Sequence, residues 1–178
     1  MKNAILIFTV LCSINTFSQT TRNIYYNRGN EKASQQDYRG AIAEYNKAIE
    51  IDPKFISAYF NRGASKSELG DHRGAIEDFR KVLKIDPNYA KAHYGIGRAL
   101  SSLGYHGLSL SDYSKAIKID PYYAEAYHNR GISKAKRQDC KGAISDYNKA
   151  IQIEPKYAEA FYFRGLCKII SGDQPRGC

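Results

Sequence analysis

The chain has 178 residues, enough for one domain with a substantial core, and its composition is typical of a soluble helical protein, with 15 tyrosines and no tryptophan. A formal net charge of +9 raises nucleic acid or an anionic surface as a partner. Acidic residues recur beside the basic ones at a fixed interval, however, and such a mixed face argues against a nucleic-acid-binding stripe. The recurring residues are Lys47, Lys81, Lys115 and Lys149, with Glu44, Asp78, Asp112 and Asp146.

The first residues have the pattern of a secretory signal peptide. Lys2 precedes an apolar run over residues 4–11, which is followed by small polar residues. The run is too short for a stable membrane span, and Thr16 and Ser18 are small enough for a cleavage site after Ser18. We therefore expect residues 1–18 to be removed, leaving Gln19 as the first residue of an exported chain, either periplasmic or secreted. A buried N-terminal helix is the less favoured alternative.

The cysteines leave two questions open. Cys12 allows a rival interpretation of the leader, a lipoprotein anchor, although Leu11 is bulkier than the residue that normally precedes a lipidated cysteine. Cys140, Cys167 and Cys178 remain after cleavage, and because their number is odd at least one has no partner within the chain. A buried thiol is the simpler interpretation, and a disulfide that involves Cys167 or Cys178 is the alternative.

A 14-residue stretch recurs along the chain. Residues 40–53 read GAIAEYNKAIEIDP and residues 142–155 read GAISDYNKAIQIEP, so the two copies start 102 residues apart, three times 34. Two further copies lie between them at the same spacing. The chain is therefore predicted to contain four repeat units and an incomplete fifth. The units are residues 22–55, 56–89, 90–123 and 124–157, followed by residues 158–178.

Each unit is predicted to form two helices in close contact. With the proline of each unit set at position 32, large residues occupy positions 4 and 24, and small residues occupy positions 8, 20 and 27. Glycine inside a helix costs about 1 kcal/mol relative to alanine, so a glycine at position 8 of every unit indicates close approach of the partner helix. The prolines are predicted to end the second helices. These residues are Gly29, Gly63, Gly97, Gly131 and Gly165, and Pro53, Pro87, Pro121 and Pro155.

The repeats resemble the tetratricopeptide repeat over residues 22–178, and the YxNRG openings at Tyr25, Tyr59 and Tyr127 resemble a bacterial variety of it. The resemblance implies an all-α solenoid of antiparallel helix pairs, wound as a right-handed superhelix. It also implies a non-catalytic scaffold whose concave face, lined by the first helices, binds a peptide or a partner protein. The third unit departs from the pattern at His93 and Ile96, and Ile96 removes one member of a predicted Arg–carboxylate ladder between helices. The ladder pairs Arg28, Arg62, Arg130 and Arg164 with the recurring acids.

The family's groove positions supply the candidate binding residues. Position 5 carries an aromatic ring in every unit, and position 6 carries Asn in three of them; rings offer contact area and Asn can pair with a peptide backbone in both senses. The alternative is that the position 5 rings only pack against neighbouring first helices. The candidates are Tyr26, Asn27, Asn30, Phe60, Asn61, Lys91, Tyr94, Arg98, His128, Asn129 and Tyr162.

One subclass of the family binds the free carboxylate of a chaperone's C-terminal tail with Lys and Asn residues and an Arg. Tyr26 and Gly95 stand here in place of two of its three cations. Because a carboxylate needs such charge-assisted hydrogen bonds, this ligand is not expected.

The fifth unit ends before a second helix and carries much apolar surface for a terminal element. Either the chain is part of a longer repeat protein, or the bare helix docks onto another chain, including a second copy in an assembly. The docking candidates are Phe163, Leu166, Ile169 and Ile170. The sequence contains no catalytic constellation and no metal-ligand spacing, so neither an enzymatic activity nor a cofactor is expected.

Overall fold

The computed structural model describes the backbone of residues 2–172 and the side chains of residues 18–172. Most side chains of the predicted leader, with Cys12 among them, and residue Cys178 lie outside that part. The described chain is all-α, and none of its helices has the length and hydropathy that a membrane span requires. The helices are α1 (Lys2–Ser34), α2 (Tyr38–Ile51), α3 (Ile56–Glu68), α4 (His72–Ile85), α5 (Ala90–Ser102), α6 (His106–Ile119), α7 (Ala124–Lys136), α8 (Cys140–Ile153) and α9 (Ala158–Ile170).

Left-handed turn residues and the predicted prolines set the helix ends. A residue in the left-handed region separates the two helices of each pair, with φ of 81° at Gly70 and 67° at Gln138. In three pairs an Asp then caps the second helix; Asp71 Oδ1, for example, accepts a hydrogen bond from the backbone N–H of Gly74 at 2.9 Å. The second helices end at Ile51, Ile85, Ile119 and Ile153, two residues before each proline.

The chain divides into two compact units, one formed by α1–α4 and the other by α5–α9. In the first unit, α1 packs on α2, α3 packs on α4, and α2 and α3 join the two pairs. The second unit repeats this arrangement with α5–α6 and α7–α8, and α9 then packs on α8 and touches α7. Each unit is thus a stack of antiparallel helix pairs, and each pair buries its apolar face against the next.

The aromatic ring at position 24 explains the glycine at position 8. A Cβ atom on Gly97 would lie 2.7 Å from ring carbons of Tyr113, a residue that is only 1% exposed. The same conflict occurs between three further glycine and aromatic pairs, which are Gly29 with Tyr45, Gly63 with Phe79 and Gly131 with Tyr147. Gly165 on α9 is different, since a Cβ atom there would have no neighbour within 4 Å among the described residues.

The predicted Arg–carboxylate ladder forms in two of the four pairs. Arg62 donates two hydrogen bonds to the carboxylate of Asp78, at 2.9 Å and 2.5 Å, and Lys66 lies 2.8 Å from the same carboxylate. Arg130, Lys134 and Asp146 repeat this arrangement.

The other two pairs depart from the ladder. Glu44 pairs with Lys47 on its own helix at 2.7 Å rather than with Arg28. In the third unit, where Ile96 removes the arginine, Nδ1 of His93 takes its place at 3.0 Å from Asp112.

Candidate functional site

A network of amides and phenols joins the first two repeats of the first unit. The Nδ2 atom of Asn61 on α3 donates to the hydroxyl of Tyr26 at 3.1 Å and to Oδ1 of Asn30 at 2.8 Å, both on α1. The hydroxyl of Tyr45 on α2 donates to the same Oδ1 at 2.8 Å. Burial raises the pKa of Tyr45 to about 12, so its hydroxyl stays protonated and remains a donor at neutral pH.

A pocket of about 250 Å³ opens beside this network. The amide nitrogen of Asn30 and the amide oxygen of Asn61 have no hydrogen-bond partner among the described residues, and both side chains line the pocket. The residues that line the pocket therefore include one amide donor and one amide acceptor that hydrogen bonds within the described chain do not use. Its other lining residues are Ala33, Tyr38, Tyr45, Ala64, Ser65 and Glu68.

The second unit repeats part of the network. Asn129 on α7 donates to the hydroxyl of Tyr94 on α5 at 2.9 Å, as Asn61 does to Tyr26. Burial raises the pKa of Tyr94. The place of Asn30 is taken by the exposed Arg98, whose guanidinium carbon lies 6.0 Å from the centre of the Tyr94 ring. This site therefore offers a positive charge where the first unit offers an amide.

The remaining groove candidates differ in exposure. Asn27, Lys91 and Tyr162 are exposed, whereas Phe60 is half-buried, with its ring centre 5.5 Å from that of Phe79. His128 is only 6% exposed. It therefore offers little contact area to a ligand.

The burial of His128 follows from its neighbours. Its ring lies 4.8 Å from that of Tyr157 and 5.6 Å from that of Phe163. Position 6 of the fifth repeat is this phenylalanine rather than the Asn of the first, second and fourth repeats, and its ring covers the histidine. Burial lowers the pKa of His128, so the ring is neutral at pH 7.

The docking candidates on α9 fall into two groups. Phe163 is half-buried and packs on the core cluster that contains Tyr147. Leu166, Ile169 and Ile170 are 37%, 59% and 75% exposed, so they form an apolar surface at the end of the second unit.

The structure also brings together residues that the sequence analysis did not connect. The lysines at position 11, Lys66 and Lys134, complete the sites of the two buried carboxylates, and their recurrence at the 34-residue period was a signal for this role. Cys140 and Cys167 are free thiols in the same buried cluster. Burial, with the side-chain hydrogen bond that Cys167 donates to Cys140, raises the pKa of Cys167 to about 11.

Comparisons with known families agree with this architecture. Models described as tetratricopeptide repeat match residues 56–89, 90–123 and 124–157, and a TPR repeat model matches residues 29–70. Together these matches span residues 29–157, more than half of the chain. The protein is thus an all-α solenoid, and the chain belongs to the tetratricopeptide repeat family.

Solved structures give the same fold. A crystal structure of MamA protein is 28% identical, with a TM-score of 0.78 over 85% of this chain and 83% of that chain. PilF of Pseudomonas aeruginosa is 18% identical, with a TM-score of 0.79 over 88% of this chain and 71% of its own. The first TPR of Spaghetti (RPAP3), bound to the HSP90 peptide SRMEEVD, is 21% identical, with a TM-score of 0.64 over 66% and 93% of the two chains. No curated protein matches the chain.

The repeats and these structures support a protein-interaction scaffold as the general role of the chain, with a protein as its partner. Proteins of this fold are generally non-catalytic scaffolds.

Proposed function

We propose that the chain is a non-catalytic scaffold that binds an extended segment of a partner protein through the first helices of its repeats, outside the cytoplasm. The observation that carries this proposal is the pair of free amide groups on Asn30 and Asn61 at the 250 Å³ pocket. One free donor and one free acceptor match the C=O and N–H groups of an extended peptide, which has both in alternation.

The amides are held in place before a ligand arrives. Asn61 is fixed by its bonds to Tyr26 and Asn30, and Asn30 by its bond from Tyr45. Because their rotamers are already set, binding costs little side-chain entropy. The Spaghetti TPR shows a peptide bound to the same fold at 21% identity, which supports the class of ligand. The absence of two of the three tail-clamping cations favours an internal segment over a free carboxyl terminus.

A peptide selection tests the groove. The mature chain, residues 19–178, is immobilised and used to select binders from a library of random 12-residue peptides, whose affinities are then measured by fluorescence anisotropy. Ala64→Gln places a long side chain in the pocket without altering the hydrogen-bond network. We expect this variant to bind the selected peptides with at least tenfold lower affinity. Asn30→Ala should do the same, because it removes the free donor and also the oxygen that holds Asn61 and Tyr45 in place.

The control for these variants is Gln152→Ala, which removes an amide from the exposed face of α8. It should leave peptide binding unchanged. Peptides that bind Ala64→Gln, Asn30→Ala and the parent equally would exclude the pocket as the binding site.

The export of the protein is supported by its leader, in which Lys2, the apolar run and the small residues before Gln19 form a signal-peptide pattern. A partner in the cell envelope or the extracellular medium follows from this proposal.

A second function, docking through α9 in an assembly, is favoured by one observation. Ile169 and Ile170, adjacent residues on one helix, are 59% and 75% exposed. Exposed apolar surface of this kind marks interaction sites on soluble proteins.

A further inference from the structure

Two cations on α9 correspond in repeat position to the two cations that bind a buried carboxylate elsewhere in the same unit. On α7, Arg130 and Lys134 hold the carboxylate of Asp146 at 2.7 Å and 2.8 Å. Arg164 and Lys168 occupy the same positions on α9. Among the described residues, neither of them is paired with a carboxylate.

The guanidinium of Arg164 is held by the same nitrogen atom as the guanidinium of Arg130. Its Nη1 atom donates to Oδ1 of Asn148 on α8 at 2.8 Å, as Nη1 of Arg130 donates to Ser114 on α6 at 3.0 Å. In Arg130 the remaining nitrogens, Nε and Nη2, point to the buried carboxylate. The guanidinium of Arg164 is anchored through the same atom, which leaves the same two nitrogens available.

Gly165, beside these cations on α9, is not covered by an aromatic ring of the described residues, unlike the corresponding glycine on α7. On α7 the ring of Tyr147 fills the space over Gly131, and a Cβ atom there would lie 2.7 Å from it. Over Gly165, no atom of the residues that the structure describes lies within 4 Å of the corresponding Cβ position. Phe161, four residues before Gly165 on the same helix, is 43% exposed, so α9 also carries exposed aromatic surface.

We infer that α9 is the docking site for an amphipathic helix of a different protein, in which an acidic residue immediately precedes a tyrosine or phenylalanine. The acid pairs with Arg164 and Lys168, and the ring enters the space over Gly165. The four second helices of this chain carry that dipeptide, as Glu44–Tyr45, Asp78–Phe79, Asp112–Tyr113 and Asp146–Tyr147. The inference rests on the second function proposed above and names the chemistry of its partner.

A labelled helical peptide with the sequence of residues 139–155 tests the site on the mature chain. In the peptide, Cys140 is replaced by alanine, and a lactam joins positions 145 and 149, which are exposed on α8. The lactam reduces the ordering cost that makes short helices bind weakly. We expect saturable binding by fluorescence anisotropy, and at least a tenfold loss for peptides with Asp146→Asn or Tyr147→Ala.

Variants of the protein locate the binding. Gly165→Ala should abolish it while leaving the thermal unfolding midpoint unchanged or higher, because the new methyl group meets no atom of the described part of the chain. Arg164→Gln in the protein should lower the affinity for the parent peptide at least tenfold. It should lower the affinity for the Asp146→Asn peptide much less, because the change in the protein and the change in the peptide remove the same ion pair.

Three results would overturn the inference. These are no binding at 1 mM peptide, equal binding by Gly165→Ala, and light scattering that shows a dimer of the mature chain that Gly165→Ala dissociates, since a second copy would then be the occupant. The pocket variants Ala64→Gln and Asn30→Ala should leave this helix binding unchanged, so failure at α9 and failure of the peptide groove are separately visible.

Discussion

The substitution Gly97→Ala tests why the repeats are built around glycine. Alanine favours a helix interior over glycine by about 1 kcal/mol, so the change would stabilise a helix that had open space at this position. In the folded protein, however, the new Cβ atom would lie 2.7 Å from two ring carbons of Tyr113, which is 1% exposed and cannot move into solvent. Overpacking of this kind costs about 1–3 kcal/mol. The net effect expected is therefore a loss of up to about 2 kcal/mol.

Gly165→Ala is the matched control, because it has the same propensity gain and its new Cβ atom has no neighbour within 4 Å in residues 18–172, whose side chains the structure describes. Urea unfolding followed by circular dichroism at 222 nm gives the free energy of unfolding of each variant and the parent. The propensity term cancels between the two variants, so their difference should be about 1–3 kcal/mol, with Gly97→Ala the less stable. Equal stability of the two variants would refute the explanation that the ring at position 24 requires glycine at position 8.

Three further predictions address the core and the leader. Asp146→Ala should lower the free energy of unfolding by about 3 kcal/mol, since it leaves two cations beside an empty buried site; an unchanged urea midpoint would contradict this. Burial raises the pKa of Tyr45 and Tyr157 to about 12. Because these values lie above the unfolded pKa of about 10, their contribution to stability is complete below pH 10 and is lost as the pH rises to 12. The urea midpoint should fall over that range. The prediction would be contradicted if the absorbance of the folded protein at 295 nm showed that all tyrosines titrate near pH 10. Mass spectrometry of the exported protein should give a mature chain that begins at Gln19, whereas a lipid-bearing or uncleaved N-terminus would be inconsistent with the proposed leader.

The 34-residue period was sufficient to predict the helix pairs, because the residues that end a helix or form a turn act on their immediate neighbours in the chain. A proline ends the helix before it, and a glycine or glutamine in the left-handed region sets the turn wherever it stands. The glycine at position 8 indicated close helix contact, and the structure identifies the ring at position 24 as its cause.

The side-chain pairings were harder to predict because they depend on two repeats at once. Asn61 was expected to offer both its amide nitrogen and its amide oxygen to a ligand. Its nitrogen instead donates hydrogen bonds to Tyr26 and Asn30 of the preceding repeat, so only the oxygen is free. His128 was placed on the binding strip by its position, and its burial depends on Phe163, 35 residues later. Glu44 had two cations within reach, and the sequence alone did not show that Lys47 is the one it pairs with.

The central claim is that the first-helix pocket of this scaffold recognises a partner protein. The most direct measurement is a pull-down from the envelope and secreted fractions of the source cell, with the immobilised mature chain, Ala64→Gln and Gly165→Ala compared by quantitative mass spectrometry. The account predicts a protein that is retained by the parent and by Gly165→Ala and lost with Ala64→Gln. Equal retention by the parent and Ala64→Gln would contradict the claim that the pocket beside Asn30 and Asn61 is the recognition site.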